Sequence, residues 1–172
     1  MSIIVVSGLP GAGKSTVARR LAERHPRAAH IEADTLQRMI VSGAEWPAAD
    51  AALNPEAARQ LRLRVTNACL LARSYATAGF VAIIDDIFVG ERVANLREDL
   101  AGAPFRFVML NPSLDVLHER NVQRTKRDAF EQASALYDAL QTQTEHFGIW
   151  IDSSTQTPAQ TVSAIEAALS ES

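Results

Sequence analysis

The chain has 172 residues, enough for one domain with a substantial core, and its 47% hydrophobic and 22% charged residues are ordinary for a globular protein in water. A net charge of −3 argues against a broad nucleic-acid or anionic-membrane surface, so any cation that matters acts locally. With no apolar run near the ~18 residues of a membrane span, no signal-peptide pattern before the first strand, and a lone cysteine (Cys69) that cannot close an internal disulfide, a cytoplasmic, reducing setting is expected.

Ile3-Ile4-Val5-Val6 predicts a first strand, which runs into Gly8-Leu9-Pro10-Gly11-Ala12-Gly13-Lys14-Ser15-Thr16. That stretch fits G-x-x-x-x-G-K-[ST], and a helical pattern begins near Lys14. A strand, a glycine-rich turn and a helix N-terminus place backbone N–H groups around one anion-sized hollow. Lys14 is suited to reach the β- and γ-phosphates of a nucleoside triphosphate, and the Ser15 hydroxyl to ligate the Mg²⁺ that accompanies them. The chain has one other lysine, Lys126, which counts against a chance match.

Val17 and Leu21 mark one face of the helix that follows, which should stop before Pro26. A short strand around Ala29 to Ile31 ends at Glu32-Ala33-Asp34-Thr35, and a short helix carrying Leu36, Met39 and Ile40 comes next. Residues 42–55 lack periodicity and read as a loop-rich insertion. From Glu56, Leu61, Val65, Ala68, Ala72 and Ala76 recur at three- and four-residue steps, a long helix closed at Gly79. Phe80 to Ile84 is a continuous apolar run, the mark of a strand buried on both faces, and it ends in Asp85-Asp86. A helix near 90–101 leads to a strand from Phe105 to Leu110. After it come a helix from about Ser113, an arginine-rich segment from Arg120 to Arg127, a helix over about 129–146 and a last strand at Ile149-Trp150-Ile151. Thr157-Pro158-Ala159-Gln160 has the form of a capping box with proline at the first helical position, opening a final helix with Val162, Ile165 and Leu169 inward. Alternation of strand and helix predicts one α/β domain over residues 1–172, a parallel sheet with helices on both faces.

Several polar residues fall where such sheets bind ligands, at the carboxyl ends of strands. Asp34 is a candidate general base for a substrate hydroxyl, with capping of the helix from Thr35 as its other possible role. Asp85, closing an apolar run, has the position of a Mg²⁺ carboxylate, and Asp86 beside it is a candidate to face the substrate. Arg120, Arg124 and Arg127, spaced by four and three, would share one face of a continuous helix and clamp phosphate oxygens. Trp46 is a candidate for the substrate pocket, whereas His25, His30, His118 and His146 are scattered, show no metal-ligand spacing, and read as structural or exposed.

Three stretches carry a family likeness: Gly8 to Thr16, Asp34-Thr35-Leu36, and Ile83-Ile84-Asp85-Asp86-Ile87-Phe88-Val89-Gly90. Together they resemble the small P-loop kinases, a group that includes adenylate, shikimate and gluconate kinases, and within it the chloramphenicol phosphotransferase-like branch, to which tunicamycin resistance proteins are also akin. The resemblance implies a P-loop NTPase fold with a five-stranded parallel sheet ordered 2-3-1-4-5. It implies transfer of the γ-phosphate of ATP, with Mg²⁺, to a hydroxyl of a small molecule. Asp34 would be the base, Lys14, Arg124 and Arg127 the catalytic cations, residues 42–79 the acceptor region and residues 120–134 a lid. Arg120 and the Asp152–Thr155 segment would meet the adenine. Leu-Pro-Gly-Ala in the P-loop and the whole of residues 42–70 depart from the branch, which leaves antibiotic, sugar and nucleoside-like acceptors all open. Two other classes are weighed: a nucleotide-dependent switch, which would need a guanine-reading strand end and ordered switch loops, and a nucleic-acid end kinase, which would need a basic groove.

Overall fold

The apolar runs form the strands of one sheet in the computed structural model, which describes residues 3–48, 54–123, 127–144 and 146–171. The strands are β1 (Ile3–Gly8), β2 (Ala28–Glu32), β3 (Val81–Asp85), β4 (Phe105–Leu110) and β5 (Ile149–Ile151), all parallel and ordered β2-β3-β1-β4-β5. Every residue of β1 is buried, as a central strand covered on both faces requires. The helices are α1 (Lys14–Ala22), α2 (Ala33–Arg38), α3 (Pro55–Thr77), α4 (Glu91–Asp99), α5 (Leu114–Gln123), α6 (Arg127–Thr142) and α7 (Pro158–Ser170). They pack α1 against α7, α3 against α2 and α4, and α5 against α6. Among the described residues no helix is long and apolar enough to cross a membrane.

This order creates the crevice that the site uses. The connection from β1 leads to one side of the sheet, and β4 returns on the other, so the loops after β1 and β3 diverge from adjacent strands. Register fixes their proximity: Val6 of β1 pairs with Asp85 of β3, and Asp86 N–H donates to the Val6 carbonyl at 3.4 Å. Buried Ser7 ties down the next turn, its hydroxyl accepting from Phe88 N–H at 2.9 Å.

Most element boundaries follow local chemistry. Asn54 caps α3 by accepting from Ala57 N–H at 2.8 Å, Pro55 opens the helix, and the Thr157–Gln160 capping box opens α7. The expectation that Met39 and Ile40 belong to the helix after β2 fails, because α2 ends at Arg38. What α2 buries instead is Gln37, whose amide donates to Gln60 Oε1 and to the Glu45 carbonyl, both at 2.9 Å. Gln60 in turn accepts from Glu45 N–H and donates to the Gly43 carbonyl, so two glutamines strap the loop after α2 onto α3. Of the three arginines expected to share one helix face, Arg120 lies on α5 and Arg127 on α6. Arg124 falls outside the described residues, as does the Arg127 side chain.

Cys69 sits in the core on the inner face of α3, and burial pushes its thiol up to about 12. The native protein should therefore leave a disulfide reagent unreacted at pH 8 and release one thiol per chain in denaturant. Prompt reaction of the folded protein would contradict this packing.

Candidate active site

The loop between β1 and α1 is shaped by its glycines. A Cβ on Gly8 would lie 2.8 Å from the Leu110 carbonyl, so only glycine lets β1 and β4 close on the loop. Gly13 is the N-cap of α1 with φ 91°, a left-handed conformation, and nothing stands within 4 Å of where its Cβ would be. The backbone there faces open space at a helix N-terminus, which suits an anion. Asn121 of α5 donates to the Pro10 carbonyl at 3.1 Å and holds the loop from outside.

Lys14, the first residue of α1, donates to the Leu9 carbonyl at 3.3 Å. Burial pushes its ammonium below the ordinary lysine range, and Asp85, Asp86 and Asp34 in that order oppose the fall. All three predicted carboxylates thus act on the cradle lysine. A phosphate beside Lys14 would favour the charged ammonium in the same way.

Asp85 is 3% exposed at the end of β3, and its Oδ2 lies 2.7 Å from His30 Nε2 on β2. His30, whose sequence context suggests a structural or exposed residue, meets one of the predicted site carboxylates. Ser15 lines an open cavity of about 500 Å³ together with His30 and Glu32. A hydroxyl and a carboxylate are hard oxygen donors of the kind a largely hydrated Mg²⁺ takes, so Ser15 and Asp85 fit that ion.

Asp86, also 3% exposed, is committed to two arginines. Its Oδ1 accepts from Arg64 Nη2 at 2.6 Å and from Ile87 N–H at 2.7 Å, and its Oδ2 accepts from Arg92 Nη2 at 3.1 Å. Arg64, 5% exposed on α3, reaches with Nη1 to Asp34 Oδ1 at 3.0 Å. Burial pushes the Arg92 guanidinium down, and the Asp86 charge is the main influence raising it. Asp34 is the second residue of α2, not its cap: the N-cap is Glu32, and the Asp34 side chain is 55% exposed. One carboxylate therefore stands open to solvent, braced by a buried arginine that is itself anchored at the end of β3.

Neither arginine was singled out from the sequence. Arg64 lies between Leu61 and Val65, on the apolar stripe that defines α3, where a charge is out of place unless paired. That anomaly was the available signal. Arg92, in the first turn of α4, offered none.

On the other side of the loop, Arg120 Nη2 donates to the Ser153 carbonyl at 2.9 Å and Nη1 reaches the Ala12 carbonyl at 3.5 Å. It borders a cavity of about 150 Å³ between the loop and the segment after β5, with Ser153 and Gln156 in its wall. Trp46, 44% exposed, follows the Glu45 that the glutamine strap holds. Thr16 also lines both the open cavity beside His30 and the cavity beside Arg120.

Comparison with known proteins fits this geometry. The chain aligns over 99% of its length with a sugar kinase from Janibacter sp. HTCC2649 (95% of that chain, TM-score 0.75, 20% identity). Over 99% it aligns with a gluconokinase from Sinorhizobium meliloti 1021 (92% of that chain, TM-score 0.70, 25% identity). It also matches the tunicamycin resistance protein of Deinococcus radiodurans (98% of this chain, 95% of that one, TM-score 0.70, 22% identity). No curated protein sequence matches it. Residues 3–148, from β1 to the edge of β5, match the family model for the AAA domain. The chain belongs to that AAA domain family, and its fold is the one shared by the small P-loop kinases.

Proposed function

We propose that the protein is an ATP-dependent phosphotransferase, acting within residues 1–172 as one domain, that moves a γ-phosphoryl group to a hydroxyl of a small molecule. The carrying observation is the half-exposed Asp34 carboxylate, held by Arg64 next to the carboxylates that act on Lys14. The kinase neighbours support the same reading, and the sugar kinase among them supports a sugar-like acceptor.

In this reading the Gly8–Thr16 backbone binds the polyphosphate, and Lys14 neutralises charge on its β- and γ-oxygens. Asp34 takes the proton of the acceptor hydroxyl, the oxygen bonds to the γ-phosphorus, and the bond to the bridging oxygen breaks, leaving ADP. Arg64 is a positioning residue that fixes the Asp34 carboxylate through its Nη1. Mg²⁺, held by Ser15 and Asp85, would supply charge neutralisation at the phosphates. Arg124 and Arg127, from the 120–134 lid, contribute cations over the transferred group, and Arg120 lies beside the adenine. The acceptor enters over residues 42–79 with Trp46 at its edge, while Asp86 acts on it only through the arginines it holds.

Asp34→Asn should lower acceptor-dependent ADP release by about 10²- to 10⁴-fold while the Kd for ATP, read by calorimetry, stays within about twofold. Lys14→Ala should abolish turnover and weaken ATP binding together. Full activity in Asp34→Asn would refute the base assignment. Arg64→Leu leaves Asp34 without its cation and buried Asp86 with Arg92 alone, and should cost about 3 kcal/mol in urea unfolding. Combining it with Asp86→Asn should recover part of that loss; an additive double variant would show that the pair is not coupled.

A further inference from the structure

The acceptor end of the site contains strong cations that are already engaged. Arg64 is paired with Asp34 and Asp86, and Arg92 with Asp86, so two guanidinium groups face two carboxylates with no net charge. Between α3 and α4, next to Arg92, lies a cavity of about 170 Å³ walled by Ala58, Leu61 and Val65. Its remaining arginine, Arg62, is taken by Asp99 and Glu98. We infer that the acceptor is an uncharged polyhydroxylated molecule, and that Asp86 sets this preference by occupying the arginines that would otherwise draw a carboxylate or phosphate. Calling the ligand an acceptor rests on the phosphotransferase reading; its charge class does not.

An anionic ligand that took the Arg64 and Arg92 nitrogens now bound to Asp86 would have to displace a carboxylate that is 3% exposed and would then be buried without a partner. It would also face the like charge of Asp34, and repulsion of that kind is how a site rejects a competitor. A neutral polyol requires no such exchange. Its hydroxyls can accept from arginine N–H groups and donate to Asp34. Asp86 is thus a specificity-determining residue for the proposed reaction, acting through the two arginines.

The test compares matched ligands by calorimetry with ADP and Mg²⁺ present, so that binding is read without phosphoryl transfer. D-glucitol and D-gluconate differ only in the alcohol or carboxylate at one end. The wild type should bind glucitol at least tenfold more tightly than gluconate, and Asp86→Asn should move that ratio at least tenfold toward gluconate. A wild type that binds gluconate as tightly as glucitol, or more so, overturns the inference. Should the wild type bind neither, gain of gluconate binding in Asp86→Asn supports it and no gain overturns it. If Asp86→Asn does not fold, Arg92→Gln, which leaves the cluster one negative charge in excess, should shift preference at least tenfold from D-glucose toward D-glucosamine, and an unchanged ratio overturns it. Charge selectivity without any acceptor-stimulated ADP release would leave this inference standing and remove only the phosphotransferase reading.

Discussion

The site depends on one buried carboxylate. Asp86 ends up inside because the parallel pairing of β1 and β3 carries its backbone to Val6, next to the turn that forms the phosphate cradle. Once there it must be paired, since an isolated buried charge is not sustained. Arg64 and Arg92 meet that need from two different helices, and Arg64 has a second guanidinium nitrogen left for Asp34. A requirement of folding at the sheet edge thereby becomes a rule for where the outer carboxylate stands.

The two ends of the crevice then have opposite electrostatic character. At the cradle, Lys14 is desolvated and pushed away from its charged form, a condition that a bound polyphosphate relieves. Where Arg64 and Arg92 meet Asp86 and Asp34, the charges are balanced within the protein. The cradle thus follows β1, while the braced carboxylate Asp34 follows β2, with the anchoring Asp86 at the end of β3 between them. The glutamine pair Gln37 and Gln60 adds a third constraint, fixing the loop that carries Trp46 to the same two helices that bear Asp34 and Arg64.

Features coded in contiguous residues were legible before any coordinates. The cradle is one such feature: its glycines, lysine and serine are specified by spacing alone. Continuous apolar runs likewise announced β3 and β4, and the strand order followed from the family likeness. Asp34, Asp85 and Asp86 could be found because strand ends are readable. Their partners could not: Arg64 is 30 residues from Asp34 and 22 from Asp86, and His30 is 55 from Asp85, separations over which sequence pattern says nothing about contact.

The central claim is that Asp34, braced through Arg64 on Asp86, faces the phosphoryl group held by the cradle. A crystal structure of the protein with a non-hydrolysable ATP analogue and an acceptor selected by turnover tests it most directly. The account predicts the reacting hydroxyl within hydrogen-bond distance of the Asp34 carboxylate and in line with the γ-phosphorus, with the Arg64–Asp86 pair intact. An acceptor seated away from Asp34, or a nucleotide whose γ-phosphate points elsewhere, would contradict it.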